Sequence, residues 1–202
     1  MKKNTSDIKI KICGLRRKED IAIVNRYKPD FIGFVFAESK RRIDFNQAIE
    51  LKKNLNDDIL VVGVFVDAKI QDIHYLIENK VIDILQLHGS EDEGYIANLK
   101  EFDENIKIIK AILVKNKDDI KRWENSLADY ILLDSGKGSG KTFNWELIGD
   151  IKKPFFIAGG INSENIDEVV KFNPFGIDLS SGAEENGFKS SKKIAKIMEQ
   201  MR

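Results

Sequence analysis

The chain has a single cysteine, so no internal disulfide can form, and it reads as a protein of a reducing compartment with a cytoplasmic location expected. It has no net charge. Its 33 Lys plus Arg balance 33 Asp plus Glu, which leaves no basic field to hold a polyanion and argues against a nucleic-acid partner. Long apolar runs are absent too: the longest, residues 59–66 (ILVVGVFV), falls far short of the roughly twenty residues that span a bilayer. No membrane association is expected. The start, Met1-Lys2-Lys3-Asn4-Thr5-Ser6-Asp7, leads into Lys-interrupted apolar positions rather than the continuous apolar core of a secretory signal. No linker or low-complexity tract divides the 202 residues, and with 42% of them hydrophobic a sizeable core can form, so one domain over 1–202 is expected.

What the chain does contain is an alternation. Short apolar runs at 8–13, 30–36, 59–66, 82–87, 107–113, 129–134, 154–158 and 175–179 read as strands. Several are apolar at consecutive positions, as strands buried on both faces should be. Amphipathic segments at 18–27, 46–53, 70–79, 91–99, 118–127, 164–171 and 189–201 read as helices. Lys28-Pro29-Asp30 breaks the first helix before the second strand, and Asn162-Ser163-Glu164-Asn165 reads as a capped helix start. Eight strand units in about 200 residues point to a parallel α/β fold, a compact (β/α)8 TIM barrel. A doubly wound open sheet is the alternative.

In such a barrel the chemistry lies in the loops that follow the strands. Cys13 closes the first strand and Asp134 the sixth, so the barrel brings both to one face. A thiol and a carboxylate across a pocket can move protons to and from a substrate without metal or cofactor. A lone cysteine is also a common core filler, whereas a carboxylate ending an apolar strand is a loop cap or a site residue. Gly159-Gly160 and Ser180-Ser181-Gly182 follow strands seven and eight, the usual phosphate position, and offer backbone amides and hydroxyls to an anion. Arg41, between Lys40 and Arg42, is either part of a solvated charge run or a fork for a substrate carboxylate. His88 reads as a satisfied core or rim histidine and His74 as a surface position on a helix; neither is assigned a catalytic role.

The loop 135–142 ends in Gly140-Lys141-Thr142, like a nucleotide-binding loop. The register fails, because GxxxxGK[ST] needs glycine at 135, where this chain has Ser135. ATP or GTP binding is rejected, and a lid over the site or a solvated connector remains.

Lys11-Ile12-Cys13-Gly14, Gly33-Phe34-Val35-Phe36 with Ser39-Lys40-Arg41, Gln86-Leu87-His88-Gly89, Leu132-Leu133-Asp134, Gly138-Ser139-Gly140-Lys141-Thr142-Phe143 and Asp178-Leu179-Ser180-Ser181-Gly182, in that order, resemble the phosphoribosylanthranilate isomerases of tryptophan biosynthesis. The resemblance spans nearly the whole chain. It implies a (β/α)8 barrel that performs the Amadori rearrangement of N-(5-phosphoribosyl)anthranilate to 1-(2-carboxyphenylamino)-1-deoxyribulose 5-phosphate. The implied partner is that small-molecule phosphorylated sugar–anthranilate substrate; no metal or cofactor is implied, and the protein is expected as a monomer or homodimer. By the same resemblance Cys13 is the general base, Asp134 the general acid, Arg41 the grip on the anthranilate carboxylate and Asp178 a contact to a sugar hydroxyl. Gly159, Gly160, Ser180, Ser181 and Gly182 hold the phosphate.

These roles require a thiolate and a protonated carboxyl, against ordinary values near roughly 8.5 and 3.9. Mutual proximity and desolvation are expected to keep Asp134 protonated, with loop amides or cations assisting Cys13. Two departures from the family pattern stand out. Arg16-Arg17 replaces a small polar residue and Asn, and Phe188-Lys189-Ser190 lacks an Asp that often leads into the last helix. A barrel that binds a phosphosugar without turnover is a second reading, disfavoured by the presence of both Cys13 and Asp134. The related isomerase of histidine biosynthesis is a third, which would carry carboxylates at both strand ends.

Overall fold

The computed structural model describes residues 5–136 and 143–202. Eight parallel strands close into a barrel in sequence order: β1 (Lys9–Cys13), β2 (Phe31–Val35), β3 (Leu60–Phe65), β4 (Ile84–Leu87), β5 (Lys107–Leu113), β6 (Tyr130–Asp134), β7 (Phe155–Ile157) and β8 (Gly176–Leu179). β1 pairs with both β2 and β8, with Lys11 opposite Asp178 in the register that shuts the barrel. The open-sheet alternative is thereby removed. Every strand expected from the sequence is present, within a residue or two at its ends, because runs such as FIGFV and ILQL are buried throughout and have no polar face to leave in water.

Around the barrel lie α1 (Lys18–Tyr27), α2 (Phe45–Lys52), α3 (Ile70–Glu78), α4 (Glu93–Phe102), α5 (Lys117–Trp123), α6 (Ile166–Val170) and α7 (Ser191–Met201). Local chemistry sets their starts. The side chains of Asp44, Asp92 and Asn116 accept backbone N–H groups of the first turns of α2, α4 and α5, supplying partners those groups lack within the helix. α1 ends at Lys28, left-handed at φ 49°, just ahead of Pro29. Between β6 and β7 the described residues form only a 3-10 turn, Trp145–Leu147.

Three expected helices begin two residues later than the sequence indicated: α4 at Glu93, after its cap Asp92, and α6 and α7 for the reasons that follow. Asn162 and Asn165 bond loop backbone with their side chains, Asn162 Oδ1 accepting from Glu164 N and Asn165 Oδ1 from Asn162 N, so a turn occupies this segment and α6 starts at Ile166. Residues 188–189 belong to a small antiparallel hairpin, β9 (Glu184–Glu185) with β10 (Phe188–Lys189), which the sequence reading ran into the last helix.

The apolar residues fall into an outer layer between strands and helices, including Ile12, Val24, Phe34, Leu51, Leu85, Leu99, Ile157 and Ile197, and an inner plug of Phe31, Val62, Ile84, Ile109, Leu132 and Phe156. The plug fills the barrel, so a cavity can open only near one end.

Candidate active site

Above the plug, at the carboxyl ends of the strands, is a cavity of about 640 Å³. Cys13, Arg41, His88, Asp134, Asp178 and Ser180 all contribute to its wall, although they are scattered over 168 residues of sequence numbering. The barrel closure therefore brings together the thiol and the carboxylate that the sequence analysis paired.

Cys13 is the last residue of β1, buried, and next to Gly33 of β2, where a methyl group would sit 2.7 Å from its Sγ. Glycine at 33 is thus what makes room for the thiol. Asp134 ends β6, and Gly159 does the same for it: φ is +88° there, and a Cβ would meet Ser135 Oγ at 2.1 Å and Asp134 Oδ1 at 2.9 Å. Gly160, Ser180 and Ser181 line the same cavity. Gly182 does not. It belongs with Gly160, Asn162, Ser163, Glu164, Ser181 and Lys193 to an adjoining hollow of about 370 Å³. The expected anion loops thus sit where the two hollows meet. Ser180 already donates its hydroxyl to the carbonyl of Cys13 at 3.3 Å, so it buttresses β1 as well as lining the wall.

The structure gives Asp134 a partner that sequence reasoning missed. His88 Nε2 lies 3.1 Å from Asp134 Oδ2, and Gln86 Nε2 lies 3.0 Å from His88 Nδ1. His88 thus bridges the side-chain amide of Gln86 and the carboxylate of Asp134. Gln86, His88 and Asp134 sit two apart and two strands over, a contact only the closed barrel creates. This corrects the expected protonation. Burial pushes the Asp134 carboxyl up, but the hydrogen bond and charge of His88, with the amides of Gly136 and Ser135, outweigh it and hold the group below the ordinary carboxylate range. The carboxyl is therefore ionised at neutral pH.

The thiol is displaced the other way. Burial pushes Cys13 up, opposed by the Lys11 ammonium and, more weakly, by Lys189, while Asp178 adds to the upward push. Cations do assist the thiolate, as expected, but do not overcome desolvation.

Arg41 and Asp178 are both already engaged. Arg41 donates Nε and Nη2 to the two carboxylate oxygens of Glu184 at 2.6 and 2.8 Å, and Glu184 also accepts from Lys189 at 2.8 Å, which holds its carboxyl at about 2. Five N–H donors on a guanidinium leave some over for a second anion. Asp178 Oδ1 accepts from Lys11 Nζ at 3.0 Å, so only its other oxygen remains for a sugar hydroxyl. His74, expected at the surface, is half-buried and stacked on Phe102 with 3.5 Å between ring centres, away from the site.

The two departures are also located. Arg17 bonds Asp20 to cap α1, and Arg16 donates to the carbonyls of Lys40 and Gly187. Both guanidinium groups lie over the ring of Phe188 in the hairpin, so they fasten it to the first two loops and stay out of the cavity wall. Residues 137–142 of the expected lid lie outside the described residues. Among the described residues no group of three or more His, Cys, Asp or Glu is placed to hold a metal ion, and no helix is long and apolar enough to cross a membrane.

Residues 10–200 match the family model described as N-(5'phosphoribosyl)anthranilate (PRA) isomerase. A protein of that name from Endomicrobium trichonymphae is 49% identical over 202 residues, covering 96% of this chain and 98% of its own. Two solved structures share the fold over 96% of this chain and 98% of theirs, each with a TM-score of 0.84. One is a phosphoribosyl anthranilate isomerase in complex with reduced 1-(o-carboxyphenylamino)-1-deoxyribulose 5-phosphate, 32% identical. The other is a set of monomers generated from the dimeric enzyme of Thermotoga maritima, 30% identical.

Proposed function

The chain belongs to the N-(5'-phosphoribosyl)anthranilate isomerase family, and from that premise we infer how its cavity carries out the isomerisation that serves tryptophan biosynthesis. The observation that carries the reading is the convergence of Cys13 and Asp134 on one cavity that also holds an arginine and two glycine- and serine-rich loops. Asp134 is the general acid. It gives a proton to the ribose ring oxygen as the C1–O bond breaks and the anilinic nitrogen lone pair closes the iminium. Cys13, as thiolate, removes the proton from C2; those electrons form the C1–C2 double bond and neutralise the iminium. The resulting enolamine tautomerises to the 2-ketone, and the proton gained by the thiol balances the one lost by the carboxyl. Arg41 grips the anthranilate carboxylate, the loops carrying Gly159, Gly160, Ser180, Ser181 and Gly182 hold the phosphate, and Asp178 offers its second oxygen to a sugar hydroxyl.

The surroundings of the two groups favour the opposite protonation states, burial a neutral thiol and His88 an ionised carboxyl. Substrate supplies the correction for the acid. It brings a carboxylate and a phosphate into the cavity and displaces water, and both changes favour the protonated form of Asp134. No further group is required, since the acid and the base are both side chains of this chain. The lone thiol suits a reducing cytoplasm, and the assembly is a monomer or homodimer.

Turnover is followed as loss of anthranilate-type fluorescence from freshly generated phosphoribosylanthranilate. Cys13→Ala and Asp134→Asn are each expected to lower kcat by about 10²–10⁴-fold, the usual reach of a positioned acid or base, with product-analogue binding retained. Full turnover by either variant overturns its assignment. Absence of turnover by the unmodified protein, with the phosphosugar still bound, would favour the barrel that binds without reacting.

A further inference from the structure

Lys11 is an oddity of this barrel. It is fully buried inside a strand whose neighbours are apolar, in a place where an apolar side chain would fill the space without the cost of desolvating a charge. Its alternation along β1 points it to the same face as Cys13, two residues on. Across the closure Asp178, its register partner on β8, accepts from Nζ at 3.0 Å and is itself nearly buried. The pair is thus layered directly under the thiol. Of the charges around the thiol, the Lys11 ammonium is the one that most favours its ionised form.

We propose that the Lys11–Asp178 ion pair sets the fraction of Cys13 present as thiolate, Lys11 supplying the positive charge that favours it and Asp178 anchoring that charge while restraining it. Lys11 is a positioning residue in this scheme and does not touch substrate. The proposal deepens the reading of Cys13 as general base and rests on it for its catalytic meaning. Other charges also face the thiol. Lys189 approaches from β10 and Arg41 from the loop after β2, with Glu184 bound between them, while Asp134 and His88 line the far wall of the same cavity. Lys189 and Arg41 are both tied to Glu184, which offsets their charge. Lys11, whose charge is shared only with Asp178, is the cation with the strongest effect on the thiol. Its own pKa stays raised although burial pulls it down, because Asp178 and Cys13 outweigh that effect, so the ammonium persists at neutral pH.

The chain has one cysteine, so the ultraviolet absorbance of the thiolate, read against a Cys13→Ser blank, titrates this group alone. Lys11→Met is expected to move the thiol midpoint up by at least about one pH unit, a tenfold loss of thiolate near neutrality, with kcat/KM falling in parallel. Asp178→Asn is expected to move the midpoint down, because the ammonium is then no longer shared. A purely structural pair would not move the thiol in opposite directions. Lys11→Met leaves a buried carboxylate unpaired and can unfold the barrel, so the near-isosteric, neutral Lys11→Met/Asp178→Asn double variant is measured alongside, with its midpoint again expected above that of the unmodified protein. A midpoint in the double variant within a few tenths of the unmodified value, or a downward shift in Lys11→Met, overturns the proposal. Retained turnover in Cys13→Ala would fail the general-base reading while leaving this titration to decide the electrostatic one.

Discussion

At the scale of single residues, His88 changes how the site is understood. Spacing along the chain offers no reason to connect it with Asp134, yet the two are hydrogen-bonded and the imidazole is the chief influence keeping the carboxyl ionised before substrate arrives. The free protein needs the minority form in which the carboxyl is protonated and the thiol is not. The pH dependence of kcat/KM reports free-enzyme groups, so its acid limb follows the group with the lower pKa, here Asp134, and its alkaline limb follows Cys13. Removing the imidazole takes away the influence that lowers Asp134, so its pKa rises. In His88→Asn the acid limb is expected to move to higher pH; an acid limb that stays in place would mean that His88 does not govern this carboxyl.

At the scale of elements, the hairpin β9–β10 acts as a clasp on the mouth of the barrel. It carries Glu184 and Lys189 to Arg41 and receives Arg16 and Arg17 on the face of Phe188. Glu184 fixes two of the guanidinium donors and thereby aims the rest. Glu184→Gln keeps the shape of the side chain but gives up the doubly charged contact, worth about 1.5–3 kcal/mol for hydrogen bonds to charged groups. Part of that appears as misplacement of Arg41. The expected result is a KM raised about tenfold with kcat changed much less, since the grip on a carboxylate is present in ground and transition states alike. A kcat loss at unchanged KM would place Glu184 nearer the chemistry.

At the scale of the whole molecule, the far end of the barrel is held by a repeated device. Asp30, Asp83 and Asp129 each stand immediately before an even-numbered strand and accept the backbone N–H of Ile10, Val61 and Ile108 on the preceding odd-numbered strand. Each also receives a lysine: Lys9, Lys52, and Lys100 with Lys107. Strand pairs are thus pinned at their amino ends, away from the cavity, as expected where this face serves stability and the opposite one chemistry. Asp129→Ala orphans the Ile108 amide and takes the carboxylate from Lys107 and from Lys100, which keeps the Ile106 carbonyl, and is expected to lower stability by about 1–3 kcal/mol. Thermal melts should show this, and kcat should be unaffected. A variant as stable as the parent would show that water satisfies the amide as well as the carboxylate does.

The amino-acid sequence by itself determined the eight strands, their parallel order and the two loop-end groups Cys13 and Asp134. Apolar runs with no polar face must be buried on both sides, and in a closed barrel burial on both sides leaves the strand ends as the only place for chemistry. It also determined the break at Pro29, which is local and depends on neighbours a few residues away. Helix starts governed by competition were less legible: the side chains of Asn162 and Asn165 are taken up by the turn that precedes α6, and the segment 184–189 forms a hairpin because Arg16, Arg17 and Arg41 lie against it. Only the tertiary structure decided which charges meet. The pairing of Lys11 with Asp178, of Arg41 with Glu184 and of His88 with Asp134 joins residues 167, 143 and 46 positions apart. The protonation of the site follows from those meetings, because a carboxyl or a thiol takes its pKa from the solvent it loses and the charges it gains in space.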